Sequence, residues 1–314
     1  MTMRAVPIAI VCLLLLAALP FAIAGGYVLH VMVVIFIFVI LAVGLDLVMG
    51  YCGQYSFAQG AFYGVGAYTA AILHRDFGFG FWQTLPSGIV VAGVFGLLLG
   101  IPALRLTGHF LAITTIAFQT IVYLLLTQWT SFTGGQYGLP VPKVGAFTLF
   151  GRELFRVDTV REFYFLALAC MAVAILVAWR LARSRIGRQW QAIHDDELLA
   201  RAIGLDVTRG KLIAFVASAG LAGAAGVLLA HYLQGVSPDD FAIWTSATVV
   251  AMVLAGGRAS IVGPILGAVL FTALPEVLRS AASYKLVIYG VVMILVVTFL
   301  PGGLVSLARR ERRT

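Results

Sequence analysis

Residues 27 to 49 read YVLHVMVVIFIFVILAVGLDLVM, 23 residues with no lysine or arginine and a single acid, Asp46, near the end. As a helix this run is about 34 Å long, enough to cross the hydrocarbon core of a bilayer. The rest of the chain has the same character. Of 314 residues, 61% are hydrophobic and 11% charged, and the mean hydropathy is +1.03, outside the range of water-soluble domains. Apolar runs recur near residues 5–23, 27–49, 55–73, 86–104, 109–127, 162–182, 211–234, 242–256, 262–280 and 284–302. They predict an all-α integral membrane protein of about ten transmembrane helices, folded as one transmembrane domain over residues 1–314.

Charge tests that count. The net charge is +8, but the cations are divided among the loops between apolar runs, a topology signal and not a nucleic-acid surface. With both termini cytoplasmic, Arg4, Arg105, the segment from Arg180 to Lys211, Arg258 and the tail Arg309, Arg310, Arg312 and Arg313 fall on one side, 14 of the 21 cations. Arg75, Lys143, Arg152, Arg156, Arg161, Arg279 and Lys285 fall on the other. The first run, ending Ala22-Ile23-Ala24 before Gly25, also has the outline of a signal peptide with a cleavage site. An uncleaved first helix is preferred, because the run is near spanning length and its charged region is a single Arg. Cys12, Cys52 and Cys170 lack the paired spacing of a disulfide or metal site and read as small packing residues.

Two loops exceed a simple connection. The outer one, 128–161, carries Thr133-Gly134-Gly135-Gln136-Tyr137-Gly138 followed by Pro140 and Pro142, and reads as an ordered turn structure over the outer mouth. The inner one, 183–210, reads RSRIGRQWQAIHDDELLARAIGLDVTRG and has the character of a short helical hairpin. Ile193, Glu197, Ala200 and Gly204 recur at helical spacing and would line one side of a helix, with Gly204 as its C-terminal cap. Asp195, Asp196 and Glu197 favour a helix N-terminus. The loop is either a surface segment that snorkels its arginines or a docking helix for a cytoplasmic partner.

No chemistry is legible in the chain. Lys143, Lys211 and Lys285 are its lysines, and none completes a G-x-x-x-x-G-K-[ST] phosphate loop. At Gly210-Lys211 the required hydroxyl is replaced by Leu212, and Gly204 is one residue too distant. There is no H-E-x-x-H, G-x-S-x-G or paired-cysteine motif, so neither catalytic nor metal residues are assigned and no cofactor is expected on this chain. Asp46, His109, His231 and Glu276 lie near run ends and read as boundary or packing residues. A proton- or sodium-coupled carrier would place acids near the midplane. The stretch Gly44 to Gly66 is read as close helix packing, with Gly60 and Gly64 four apart; a broken helix lining a cavity is the alternative, supported by Gln54, Ser56 and Gln59. Residues 257–267, GRASIVGPILG, weakly echo 53–64. In the fifth run Thr114, Thr115, Gln119 and Thr120 are candidate pathway residues, although hydroxyls on membrane helices often bond back to their own helix.

S-R-I-G-R and D-D-E-L-L-A-R-A-I-G-L with the following lysine resemble the coupling segment of permease subunits in branched-chain amino acid ABC importers. GQYSFAQGAFYGVGAYTAA (53–71), RLTGHFLAITTIAF (105–118), WTSFTGGQYGL (129–139) and AFVASAGLAGAAGVLLA (214–230) are similar to that family's signatures, so the likeness covers nearly the whole chain. It departs from the general importer pattern E-A-A-x-x-x-G where Leu198 and Leu199 precede Ala200. The resemblance implies that Glu197, Ala200 and Gly204 couple to the ATPase. It implies two cytoplasmic ATP-binding subunits that hold the ATP, a second homologous permease, and a periplasmic or extracellular substrate-binding protein, with membrane lipid around the whole and no nucleic acid. The setting implied is a bacterial inner membrane and the cargo leucine, isoleucine, valine or related neutral amino acids. A urea or short-chain amide importer is the alternative substrate class; a secondary carrier is a further alternative.

Overall fold

A computed structural model describes residues 5–22, 26–103, 106, 108–149, 152–277, 290 and 303–305. The helices are α1 (Ala5–Ala22), α2 (Gly26–Asp46), α3 (Gln59–Phe77), α4 (Phe81–Ala103), α5 (His109–Gln128), α6 (Thr130–Thr133), α7 (Val160–Arg183), α8 (Arg185–Asp195), α9 (Glu197–Ala202), α10 (Val207–Leu233), α11 (Ile243–Gly256) and α12 (Val262–Val277). Six stretches are long and apolar enough to cross a membrane: Gly26–Tyr51, Phe81–Pro102, His109–Gln128, Val160–Arg183, Val207–Leu233 and Pro238–Gly256. α1, α3 and α12 are helices at three further apolar runs but are not among these six. The last run, 284–302, and the basic tail lie outside the described residues.

The bundle is built around α10. Its sequence is rich in small residues, and Ala214, Ser218, Ala219, Ala222, Gly223, Ala225 and Gly226 are buried against α2, α3 and α4. Without a hydrophobic drive between helices in lipid, such faces give association through close backbone approach. The tightest point joins three helices. A Cβ on Gly66 would stand 2.3 Å from the Gly223 carbonyl oxygen, and one on Gly223 would stand 2.5 Å from that of Gly88. One turn away, a Cβ on Gly226 would meet the Tyr63 carbonyl oxygen at 2.1 Å.

The element ends are set by local chemistry. Thr159 and Glu162 form a reciprocal capping box at the start of α7, satisfying donors that the first helical turn leaves open. At its other end Ser184 caps α8, its hydroxyl accepting from Ile186 and Gly187 N–H. The 128–161 loop holds α6, a 3-10 turn at Gly135–Tyr137 and two small strand pairings. β1 (Leu139–Pro140) pairs antiparallel with β4 (Gly235–Val236), and β2 (Gly145–Leu149) with β3 (Arg152–Val157). The first pairing ties this loop to the C-terminal end of α10. The 183–210 hairpin sits at the opposite end of α7 and α10, so both helices run the full distance between the two long loops.

Candidate functional site

The 183–210 segment holds two short helices, and the break between them falls between Ile193 and Glu197. α8 stops at Asp195, Asp196 adopts an extended conformation (φ −157°, ψ 109°), and its Oδ1 accepts from Leu198 and Leu199 N–H at 2.9 and 3.0 Å to start α9. Asp196 and Glu197 therefore do mark a helix start, while Asp195 is the last residue of α8. Gly204, in the left-handed region at φ +85°, closes α9: its N–H donates to Arg201 C=O and that of Leu205 to Ala200 C=O, both at 3.0 Å. This is the Schellman arrangement, which favours glycine at that position.

Ile193, Glu197, Ala200 and Gly204 consequently do not share one helix. Ile193 is buried on α8 and Ala200 on α9. Leu198, Leu199 and Ile203 point outward instead, 79%, 60% and 67% exposed. The spacing located the apolar residues that hold the hairpin down and missed the apolar surface it presents.

Three contacts fasten the hairpin to the bundle. Trp190, fully buried, donates its indole N–H to Gly210 C=O at 2.7 Å, and Gln189 donates to Asp206 C=O at 2.8 Å. Glu197 accepts from the Lys211 ammonium at 2.7 Å and from Arg201 at 2.8 Å. Lys211 is 1% exposed, and a buried ammonium requires a partner. Burial alone would raise the Glu197 carboxyl pKa, but the hydrogen bonds and charges of Lys211 and Arg201 outweigh it and hold the group below its ordinary range. This pair was legible in principle: Lys211 opens a long apolar run and lies 14 residues from an acid.

The third contact reaches α2. Beyond Asp46 its backbone widens into a π-helical turn, Leu47–Tyr51, and residues 52–58 are irregular before α3 begins at Gln59. His194 of α8 places Nδ1 2.9 Å from the Gly50 carbonyl oxygen, and Gly53, at φ +71°, lies under its ring. Asp46 Oδ1 accepts from Ala259 N–H at 3.0 Å, and Arg258 bonds the Tyr55 hydroxyl. The glycine stretch thus has two functions. Gly50 and Gly53 belong to a break in the helix, the alternative that sequence reading ranked second, while Gly60, Gly64 and Gly66 serve close packing. The 257–261 turn, part of the weak echo of 53–64, packs against that break.

The polar candidates divide in the same way. Gln59 donates to Leu41 C=O at 3.0 Å and accepts from Ser218 at 3.0 Å. Gln119 donates to Phe241 C=O at 2.6 Å and accepts from Ser246 at 3.1 Å, whose hydroxyl accepts from Gly60 N–H at 2.8 Å. Thr115 accepts from Phe57 N–H at 3.0 Å. These three are buried and joined across α2, α3, α5, α10 and α11. Ser56 is also buried and accepts from Ala58 N–H at 3.3 Å. Gln54 is half-buried and donates to Cys52 C=O. Thr114 and Thr120 bond back to Phe110 and Ile116 of their own helix. They lie outside the network, beside the exposed Ile113, Ile121 and Leu124. Ser218 and Ser246 were missed, since a serine in an apolar run gives no sign of its partner. Among the described residues no cluster of His, Cys, Asp and Glu is arranged to hold a metal.

Six helices long and apolar enough to cross a membrane define the class as a multi-pass membrane protein. Residues 27–297 match the family described as branched-chain amino acid transport system, permease component, and the chain belongs to that family. It is 38% identical to the high-affinity branched-chain amino acid transport system permease protein LivM of Salmonella typhimurium, covering 95% of this chain and 74% of that one. Against LivM of Escherichia coli the identity is 38%, over 96% and 75%. Against the E. coli permease protein LivH it is 26%, over 88% and 93%. No solved structure matches the chain.

Proposed function

We propose that this chain is one of two permease subunits of an ATP-driven importer for leucine, isoleucine, valine or related neutral amino acids. The observation that carries the reading is the family match along residues 27–297, with 38% identity to LivM proteins. In this reading residues 1–314 form one permease domain in a bacterial inner membrane, with ten spans including the 284–302 run and both termini cytoplasmic. The 128–161 loop faces an external binding protein, and the 183–210 hairpin faces two cytoplasmic ATP-binding subunits, which hold the ATP.

The hairpin supplies a mechanism. Leu198, Leu199 and Ile203 dock on an ATP-binding subunit, while Glu197 and Ala200 fix α9 to the membrane domain and Gly204 sets where α9 ends. Closure of the ATP-binding pair moves α8 and α9 together. Lys211 transmits that movement to α10, and Gly50 transmits it to the broken end of α2, where irregular backbone yields more readily than a continuous helix. The substrate path runs beside the exposed side of α5, facing the second permease. Thr114 and Gln54 line it; Ser56, Gln59, Thr115 and Gln119 brace the helices behind it. α5 suits that position as the least enclosed of the six spans, 28% buried against 67% for α2 and α10.

The test is uptake of radiolabelled leucine by vesicles holding this chain with its co-purifying subunits and binding protein. Uptake that requires internal ATP and the binding protein supports the proposal. Uptake that persists without ATP and collapses with the ion gradient overturns it.

A further inference from the structure

A cleft of about 1160 Å³ opens between α4 and α7, with α10 as its floor. Its walls are Val90 and Val94 on one side and Val173 and Val177 on the other, and Val216 and Gly220 lie at the bottom. All four wall valines are 42% or more exposed. Both walls belong to helices long enough to cross a membrane, so the cleft lies at bilayer depth and hydrocarbon is its solvent. Two observations decide the occupant. Helices that pack in lipid meet through small residues, as Gly66, Gly88 and Gly223 do elsewhere in the bundle, whereas a Cβ on Gly93 or Gly220 in the cleft would meet nothing nearer than 3.4 Å. The most exposed large wall side chains are branched valines, and small residues such as Gly93 and Ala169 lie between them, which leaves furrows suited to a flexible chain. At the hairpin end the same α7 stripe continues from Val173 and Val177 to Arg180, at intervals of four and three. Arg183, Arg185 and Arg188 follow within eight residues, all exposed.

We propose that this cleft is a binding site for an anionic phospholipid of the cytoplasmic leaflet. An acyl chain lies between Val94 and Val173, and the phosphate rests on Arg180 and its neighbouring arginines. Guanidinium groups take phosphate oxygens in paired hydrogen bonds, while the apolar walls select a lipid over free phosphate. The site reaches α8 of the hairpin through Arg185 and Arg188 but uses neither the surface of Leu198, Leu199 and Ile203 nor α5, and does not depend on which substrate is carried.

The test is the lipid content of the assembled importer purified from membranes containing phosphatidylglycerol and phosphatidylethanolamine, read by mass spectrometry of the intact complex. The wild type should retain phosphatidylglycerol several-fold over phosphatidylethanolamine. Gly93→Trp should abolish retention by filling the cleft, since a Cβ there has its nearest neighbour, Val216, at 3.7 Å. Arg180→Gln should keep the lipid but lose the preference. A photo-crosslinking residue at Val173 in the otherwise unaltered protein gives a reading that does not depend on how Gly93→Trp folds, and should label phospholipid. Labelling of a protein subunit instead, absence of retained lipid, or unchanged retention and preference in both variants would overturn the assignment.

Discussion

Nδ1 of His194 stands 2.9 Å from the Gly50 carbonyl oxygen, a bond between the 183–210 hairpin and the one π-helical turn among the described residues. A carbonyl only accepts, so Nδ1 carries the proton in this contact. The widened turn leaves the Gly50 oxygen available: Gln54 N–H, next in helical register, donates to Val48 at 2.9 Å. If movement passes through this bond, His194→Ala should leave ATP hydrolysis by the assembled importer intact and lower leucine uptake several-fold. Parallel ATPase and uptake assays in proteoliposomes check this, and an unchanged ratio of uptake to hydrolysis would remove His194 from the coupling path.

Leu198 is 79% exposed, so Leu198→Asp should leave the thermal stability of the isolated permease within about 0.5 kcal/mol of the wild type. It should nonetheless prevent co-purification of the ATP-binding subunits, because a carboxylate would have to be desolvated in the interface. Retained co-purification would mean that α9 docks elsewhere.

Glu197→Gln leaves the buried Lys211 ammonium without its counter-charge and should destabilise the protein by about 3 kcal/mol. Adding Lys211→Met should recover much of that loss. Because the folded state lowers the Glu197 pKa, the carboxylate contributes stability above its ordinary range, and that contribution is lost as pH falls through the folded value. Denaturation midpoints measured downward from pH 4.5, the carboxyl's ordinary value, should therefore fall faster for the wild type than for Glu197→Gln.

Gly226→Ala places a methyl 2.1 Å from the Tyr63 carbonyl oxygen, and backbone cannot move aside as a side-chain tip can. A loss of about 3 kcal/mol is expected, against little change for Gly93→Ala, whose Cβ meets only ordinary contact. Thermal unfolding in detergent separates the two.

Gln119→Leu removes a donor to Phe241 C=O and an acceptor for Ser246, and should cost about 2 kcal/mol through the groups left unpaired. Thr114→Val loses only a bond within its own helix and should be stable. Under the proposed path it is Thr114→Val that changes leucine uptake at unaltered stability. The reverse pattern would exchange the bracing and lining roles.

Much of this molecule is legible in the chain because solvent chooses the fold. A run such as 27–49 has no stable place in water, and the cap residues Asp196 and Gly204 fix the ends of α9 through bonds within a few residues. The same locality explains the partial failure at the hairpin. Helical spacing placed Ile193 and Ala200 on an apolar face correctly, but periodicity reports that a face exists without saying whether its neighbour is this protein or another. The extended Asp196 separates Ile193 from the helix that carries Ala200, and the outward surface is Leu198, Leu199 and Ile203.

The sequence by itself determined the membrane class, where apolar helices fall among the described residues, and the family, since each follows from composition or from residues close along the chain. Only the tertiary structure decided that α2 breaks where His194 reaches it, that Lys211 pairs with Glu197, and that Gln59 and Gln119 find Ser218 and Ser246 more than 120 residues away. Those contacts arise because the helices pack around α10. A side chain's partner is set by that packing, which no local pattern encodes.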